Sequence, residues 1–403
     1  MKTRWPYHEE DEIAAVAQVL RSGRTNFWQG GPDGEESHGQ AFEREFAAFT
    51  GAAHALTVSN GTTALECALH AMAKNTGYDP LGWAYEGSGQ QEVIVPCRTF
   101  MATASACVNT GYRPVLADIA EATLNVTVET LDARRTPRTR GVIVVHFAGR
   151  PCEMSSIMEW AHKHKLWVIE DCAHAHGATI DCVDIEAAAT YKRHVGTYGN
   201  IGTFSFCVGK IMSTGGEGGM CITNDAALHK HMAAYRDHGR YQMVGAKDMT
   251  QFQYTVEEFG SNLRMTEMQA VIGRIQLKKL PVWIYRRRRI AERYNAVFGT
   301  GQAFHPGHSF YLYIFMCVDR DRILSRLNER GIPARIGGCP NIGRERAFLA
   351  VHDCPNADRA GEYTLALPIY PTMTDEDVDA VITEVSGVLK SENSMANDGA
   401  GRQ

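Results

Sequence analysis

Near the middle of the chain, residues 166–171 read Leu-Trp-Val-Ile-Glu-Asp, a short apolar run that ends in two acidic residues. A continuous apolar run of this length is typical of a β-strand that is buried on both faces. Such strands occur in sheets that helices cover on both sides, so the run predicts an α/β protein.

Similar runs precede and follow this one, and helix-like stretches alternate with them. The predicted strands are residues 92–96, 114–119, 142–146, 202–206 and 219–223, and two of the predicted helices are residues 63–73 and 155–164. This alternation is typical of βαβ crossovers. It therefore predicts a mostly parallel central sheet.

The length of 403 residues exceeds what one ordinary hydrophobic core accommodates. After residue 280 the pattern changes to a long helix, a strand that begins at Tyr311 and a helix over 321–330. We predict a large domain over 1–280, whose N-terminal helix at about 8–22 packs on the small domain, and a smaller α+β domain over 281–390. Residues 391–403 have almost no apolar content, which predicts a disordered tail.

Composition and charge exclude several classes of protein. No run approaches the roughly 18 apolar residues of a membrane span, and the net charge of -5 gives no general attraction for nucleic acid or anionic lipid. The N-terminal residues lack a signal-peptide core, which predicts a cytoplasmic protein. Eleven cysteines without a C-x-x-C pair indicate reduced, mostly buried thiols.

The first motif with chemical meaning is Ser59-Asn-Gly-Thr-Thr-Ala-Leu, which opens a predicted helix. Free backbone N–H groups and the positive end of the helix dipole at Gly61, Thr62 and Thr63 suit a phosphate. The same residues are equally typical of an ordinary helix start that Ser59 or Asn60 caps. The motif alone leaves both interpretations open.

The second motif places Glu170 and Asp171 at the carboxyl end of the central strand, where open α/β sheets bind ligands. A buried carboxylate at this position needs a cationic partner. Cys172, His174 and His176 alternate behind it and would share one face of a continuing strand. Because a fourth ligand at a recognised spacing is missing, we predict no metal site.

The third motif is a glycine-rich loop, residues 209–219, that follows a predicted strand and contains Lys210. A lysine in a loop is most often an exposed surface residue. If a partly desolvated pocket holds it as a neutral amine, it can instead attack a carbonyl and form a Schiff base.

The chain order of the three motifs is more specific than any one of them. A phosphate-binding helix start, a buried acid after a strand and a lysine in a glycine-rich loop are the parts of a pyridoxal-phosphate enzyme. The Walker-type pattern G-x-x-x-x-G-K-[ST] is missing, which argues against a nucleotide-triphosphate site.

At this point the chain resembles the sugar aminotransferases of the DegT/DnrJ/EryC1/StrS family, which are fold-type I pyridoxal-phosphate enzymes. The resemblance extends from about Phe42 to Leu280 and more weakly to about Pro371. It rests on five blocks in order: residues 59–65, 95–100, 170–178, 205–219 and 262–270. It implies an aspartate-aminotransferase-like large domain and a small C-terminal α+β domain.

The resemblance also implies a role for each site residue. Lys210 would hold the cofactor aldehyde as a Schiff base and later move a proton, and Asp171 would pair with the pyridine nitrogen. Phe100 would stack on the cofactor ring, and His174 would lie near its phenolic oxygen. The phosphate would be held by Gly61, Thr62, Thr63 and Ser205, and by Asn262 of the neighbouring subunit in a homodimer.

The implied activity is transfer of an amino group from an L-amino acid, glutamate in our expectation, to a keto group of a nucleotide-linked sugar, for amino-sugar or polysaccharide biosynthesis. One alternative is the same chemistry on a free ketocyclitol or keto sugar with glutamine as donor. A second is a non-catalytic cofactor-binding homologue. Two segments, 74–91 and 180–194, are longer than the family pattern and leave the substrate open.

Overall fold

The computed structural model describes residues 5–26, 35–78, 90–184, 189–243, 254–256, 258–299, 305–348 and 353–400. Its helices are α1 (Glu10–Ser22), α2 (His38–Thr50), α3 (Gly61–Thr76), α4 (Ala102–Asn109), α5 (Val128–Asp132), α6 (Met154–Lys163), α7 (Ala226–Arg236), α8 (Glu267–Phe298), α9 (Arg320–Glu329), α10 (Pro355–Tyr363) and α11 (Asp375–Ala400). Its strands are β1 (His54–Val58), β2 (Glu92–Pro96), β3 (Arg113–Ala117), β4 (Thr139–Val145), β5 (Trp167–Asp171), β6 (Thr179–Asp184), β7 (Ala189–His194), β8 (Ile201–Ser205), β9 (Gly219–Thr223), β10 (Arg240–Met243), β11 (Tyr254–Val256), β12 (Tyr313–Met316), β13 (Arg335–Ile336) and β14 (Thr364–Leu367).

The central sheet has seven strands in the order β1-β9-β8-β5-β4-β2-β3. The pairs β3–β2, β2–β4, β4–β5 and β5–β8 are parallel, and β9 pairs antiparallel with both β8 and β1. The predicted α/β class with a mostly parallel central sheet is confirmed. Because parallel strands end at one edge of the sheet, the residues after β2, β4, β5 and β8 meet there.

The central strands are buried on both faces, as their apolar runs predict. In β2, Val93 and Val95 pack into the cluster that includes Leu69 of α3, whereas Ile94 packs into the cluster that includes Trp160 of α6. Helices therefore cover the sheet from both sides. This layering places the carboxyl ends of the strands between the helices and leaves them free to form a site.

A second hydrophobic cluster lies toward the C terminus and contains Ile290, Leu327, Leu365 and Val388 among others. It packs around the antiparallel sheet β12-β14-β13 and helices α8, α9 and α11. Helix α8 is continuous across residue 280, so one element supplies side chains to both parts of the molecule. The division at 280 stays a prediction.

The N-terminal segment packs along α8. The Glu12 carboxylate of α1 lies 3.1 Å from the Lys279 ammonium group. Before the helix, the ring of Trp5 lies edge-on to Trp283, 5.2 Å between centroids, and contacts the second hydrophobic cluster. Contact with the small C-terminal part is thus made by Trp5, and α1 itself packs on α8.

The sequence predicts a disordered tail from residue 391, whereas in the structure residues 391–400 form the last part of α11. Val378, Val381, Val385 and Val388 anchor the first part of this helix in the second cluster. Once the first turns of a helix are packed, each further residue adds one hydrogen bond and fixes only its own backbone dihedral angles. Polar residues without proline can therefore extend the helix. Residues 401–403 lie outside the described residues.

The two long segments have different outcomes. Most of the first, residues 79–89, lies outside the described residues. The second forms the antiparallel hairpin of β6 and β7, apart from residues 185–188, which are also outside them. Within the described residues, no helix has the length and apolar character that crossing a membrane requires.

Candidate active site

A cavity of about 610 Å³ lies at the carboxyl edge of the central sheet. The ends of β5 and β8 contribute Asp171 and Ser205, and the loop after β8 contributes Lys210. All three motifs of the sequence therefore meet in one cavity. The other predicted residues that line it are Gly61, Thr62, Thr63, Phe100 and His174.

One end of the cavity is formed by the start of α3. The Asn60 side chain accepts a hydrogen bond from the Thr63 backbone N–H at 2.9 Å and so caps the helix. The N–H groups of Gly61 and Thr62, which line the cavity, have no partner within the helix. A capped helix start thus faces the cavity, so the cap does not exclude the phosphate interpretation.

Thr63, a predicted phosphate contact, lines the cavity and also takes part in the helix cap. Its hydroxyl donates to the Asn60 carbonyl at 2.9 Å, and its N–H is taken by the Asn60 side chain. The Thr63 hydroxyl also accepts the Asn60 N–H at 3.2 Å, and this bond with that of the Thr63 N–H forms the reciprocal cap of the helix. Thr63 therefore fixes where α3 begins, and Gly61 and Thr62 carry the groups that face the cavity.

Gly61 brings the helix start close to Ser205. A Cβ atom built on Gly61 would lie 2.6 Å from the Ser205 Cβ and 2.9 Å from its hydroxyl oxygen. Only a residue without a side chain permits this approach. The Ser205 hydroxyl and the N–H groups of α3 thus converge on one small volume that suits an anion.

Asp171 is the last residue of β5 and is only 5% exposed. Its carboxylate accepts hydrogen bonds from the Thr103 hydroxyl at 2.9 Å and from the Ala173 N–H at 3.1 Å. Burial raises the pKa of Asp171 above its ordinary value, against these two bonds and the charge of Lys210, which lower it. A cationic group placed in the cavity would relieve this cost.

Lys210 lies in a short loop that two hydrogen bonds hold. Its N–H donates to the Cys207 carbonyl at 2.9 Å, and its carbonyl accepts the indole N–H of Trp5 at 3.0 Å. The Lys210 ammonium nitrogen lies 5.0 Å from the ring centroid of Tyr311. The backbone is therefore anchored, and the side chain lies at the cavity wall.

Aromatic rings complete the cavity. His174 is 6% exposed and stacks on Tyr311, with 4.5 Å between ring centroids. Burial, with a smaller contribution from the Lys210 charge, lowers the pKa of His174 well below its usual range, so the ring is neutral at pH 7. Phe100 is 66% exposed, which leaves a ring face open at the cavity.

Asn262 is the one predicted site residue that the cavity does not include. It is exposed and bridges to Asp237. The alternating residues Cys172, His174 and His176 also do not come together as a group of candidate ligands within the described residues. Cys172 instead lies near His146 and Glu170.

Thr103, Tyr311 and Cys339 are among the residues that line the cavity and that sequence reasoning missed. Tyr311 and Cys339 come from the C-terminal part of the chain, and Thr103 lies in the first turn of α4. No local pattern marks any of them. Tyr311 and Cys339 line the cavity because the C-terminal part of the chain packs against the central sheet.

The residues present fit a pyridoxal-phosphate group. The helix start and Ser205 suit its phosphate, and the buried Asp171 carboxylate suits a ring that carries a positive charge. The close approach of Gly61 to Ser205 is a cradle that a Cβ would fill. Lys210 supplies an amine in the same cavity.

Comparison with known proteins agrees with this geometry. The chain matches the DegT/DnrJ/EryC1/StrS aminotransferase family over residues 6–386. It is 34% identical to the spore coat polysaccharide biosynthesis protein SpsC of Bacillus subtilis, over 96% of each chain. It is also 34% identical to a UDP-N-acetyl-3-dehydro-α-D-glucosamine 3-aminotransferase of Acidithiobacillus ferrooxidans, over 88% of this chain and 89% of that one.

Among solved structures, the aminotransferase from Psychrobacter cryohalolentis superimposes with a TM-score of 0.83 at 36% identity. The match covers 96% of this chain and 99% of that chain. Fold, motif order and overall similarity therefore agree along nearly the whole length. The chain belongs to the DegT/DnrJ/EryC1/StrS aminotransferase family, whose members are pyridoxal-phosphate-dependent enzymes.

Proposed function

We propose that this protein binds pyridoxal phosphate in the cavity at the sheet edge and transfers an amino group from L-glutamate to a keto group of a nucleotide-linked sugar. The observation that carries the proposal is the meeting of a helix start, the buried Asp171 and Lys210 in one cavity. Its products would serve amino-sugar and polysaccharide synthesis.

The phosphate end of the cofactor is assigned to the N–H groups of Gly61 and Thr62 and to the Ser205 hydroxyl. Asp171 holds the ring nitrogen, and the open face of Phe100 stacks on the ring. His174, a neutral ring, would lie near the phenolic oxygen of the cofactor ring. When bound, the cofactor supplies an electron sink that stabilises a developing carbanion.

Lys210 is the group that takes and returns the proton at the reacting carbon. It is the amine that lines the cavity among the described residues, and its anchored backbone fixes the origin of the side chain. Its ammonium group lies 5.0 Å from the centroid of the Tyr311 ring. A general acid and base must be held within reach of the reacting proton, and an anchored backbone contributes to this positioning.

We further propose that the working form is a homodimer in which Asn262 reaches the phosphate site of the second copy. Support comes from Asn262 being exposed and lying outside the cavity of its own chain. Phe259, close to it in the sequence, is 75% exposed. An interface between two copies would cover this ring.

The nucleotide-linked substrate is supported by the relative that acts on a UDP-linked sugar. A site for such a substrate must also accept a diphosphate and a base. Calorimetric titration of the cofactor-loaded protein with UDP, GDP and dTDP tests this directly. Binding of at least one is expected, whereas no binding of any would favour the free-ketocyclitol alternative.

The activity and the donor are tested by a visible absorbance spectrum of the protein with pyridoxal phosphate, before and after L-glutamate or L-glutamine is added. A yellow protein that L-glutamate bleaches is the expected result. Bleaching by L-glutamine but not by L-glutamate would identify L-glutamine as the amino donor. A protein that stays colourless with the cofactor would contradict the role of Lys210.

We expect Gly61→Ala to weaken cofactor binding by about tenfold or more, because its Cβ would meet Ser205 at 2.6 Å and push α3 away from the phosphate site. Overpacking of this kind typically costs about 1–3 kcal/mol. Fluorescence titration of the apoprotein with pyridoxal phosphate measures the effect. Gly387→Ala in α11 is the control, since its Cβ meets only the end of the Arg330 side chain at 3.5 Å.

A further inference from the structure

Two buried threonines lie behind Asp171. The Thr103 hydroxyl donates to the Asp171 carboxylate at 2.9 Å, and the Thr99 and Thr103 hydroxyl oxygens are 2.9 Å apart. Each threonine is 1% exposed, and both line the cavity. The hydroxyls therefore form a continuous chain that ends on the carboxylate.

The direction of this chain follows from the number of protons. An ionised carboxylate only accepts, so the single hydroxyl proton of Thr103 is given to Asp171. Thr103 must then accept the proton of Thr99. The order Thr99 to Thr103 to Asp171 is thus tied to the ionised form, and in a chain each bond polarises the next.

We propose that Thr103, oriented by Thr99, is a positioning residue that keeps the Asp171 carboxylate ionised and directed into the cavity. The inference rests on the proposed function, because the ionised carboxylate is what a protonated ring nitrogen requires. A hydrogen bond to an ionised group is stronger than one between neutral groups. Thr103 therefore opposes the burial that raises the pKa of Asp171.

Several titratable groups lie around Asp171, and few of them favour its ionised form. The titratable groups that face it or lie next to it are Lys210 after β8, His146 after β4, Glu170 in β5, Cys172 and His174 after β5, and Cys339 after β13. Burial lowers the pKa of His174 and raises the pKa of the Cys172 and Cys339 thiols, so all three are neutral at pH 7.

His146 also favours the ionised form of Asp171. Its Nδ1 accepts the Cys152 N–H at 3.0 Å, and its Nε2 is hydrogen-bonded to the Glu170 carboxylate at 3.0 Å. Glu170 also accepts N–H bonds from residues 196, 198 and 199, and this set satisfies its charge. Among these neighbours, the donors Ala173 and Thr103 and the charges of Lys210 and His146 favour the ionised Asp171.

The test compares Thr103→Val, Thr103→Ser and Thr99→Val. Each apoprotein is loaded with pyridoxal phosphate that carries ¹⁵N in the ring, and the ¹⁵N chemical shift reports whether the ring nitrogen is protonated. Valine at 103 matches threonine in shape but lacks the donor, so the pKa of Asp171 rises further and the proton shifts toward the carboxylate. The shift should move toward that of a neutral pyridine.

The donor half-reaction should slow about 10- to 100-fold in Thr103→Val, the range for loss of a hydrogen bond to a charged group, with its acidic limb moved to higher pH. Thr103→Ser should restore both readouts, and Thr99→Val should have a smaller effect because Thr103 still donates. An unchanged ¹⁵N shift in Thr103→Val, or a serine variant that is not rescued, would overturn the inference.

Experiments on the wild-type protein distinguish a failure of the proposed function from a failure of the role of Thr103. If it does not take up the labelled cofactor, the proposed function fails and this inference fails with it. If it binds the cofactor with a protonated ring nitrogen and Thr103→Val is indistinguishable from it, the proposed function stands and only the role of Thr103 is rejected.

Discussion

Lys210→Ala should lower turnover by about 10⁴-fold or more while the protein still binds pyridoxamine phosphate. The variant loses both the nucleophile and the general acid and base, and proton transfer by a positioned group alone contributes about 10²–10⁴-fold. The groups assigned to phosphate and ring, Ser205 and Asp171, do not change. Steady-state rates and cofactor titration therefore separate the loss of chemistry from a loss of binding.

The design of this experiment includes two controls. Lys278→Ala removes an exposed lysine of α8 and should leave the rate unchanged. Addition of a small primary amine to Lys210→Ala should recover part of the rate, because a diffusible base can enter the space that the side chain leaves. A Lys210→Ala protein with wild-type turnover would sink the assignment of the catalytic lysine.

The fold was predictable from sequence where strands are buried on both faces. Continuous apolar runs mark these strands. Their observed first residues lie within one residue of the predicted ones in β2, β5, β8 and β9. β1 was not predicted. It contains His54 and Thr57, and its position at the sheet edge depends on pairing with β9, about 165 residues away.

The residues of the candidate site also fall into those that a local sequence pattern marks and those that only tertiary packing brings there. Asp171 and Lys210 stand in local patterns, a strand end and a glycine-rich loop, that point to them directly. Thr103 lies in an ordinary helix turn after β2, and it contacts Asp171 in a sheet in which only β4 separates β2 from β5. Tyr311 reaches the cavity from the C-terminal part, and only tertiary packing decides that.

Asp171→Asn has the second large effect that we expect, and it acts in opposite directions on activity and stability. A neutral amide no longer fixes a proton on the ring nitrogen, so turnover should fall by about 10²–10³-fold, the usual range when a preorganised electrostatic partner is removed. Cofactor affinity should fall as well. Both are measured on the reconstituted protein.

The cofactor-free protein should show the reverse. Burial raises the pKa of Asp171 in the folded state, so the folded protein binds this proton more tightly than the unfolded chain does. Stability from this group is therefore greatest below the unfolded pKa and is lost as the pH rises through the folded pKa. At neutral pH the ionised wild-type side chain costs stability that an asparagine does not.

We therefore expect the melting temperature of cofactor-free Asp171→Asn to exceed that of the cofactor-free wild type at pH 7, and the difference to shrink as the pH is lowered. Calorimetry of both proteins across this pH range, with Thr99→Val as a variant that keeps the charge, measures it. A less stable Asp171→Asn apoprotein at pH 7 would contradict this account. It would mean that the carboxylate stabilises the fold, whereas the proposed role of Asp171 is to hold a positive charge in the cavity at a cost in stability.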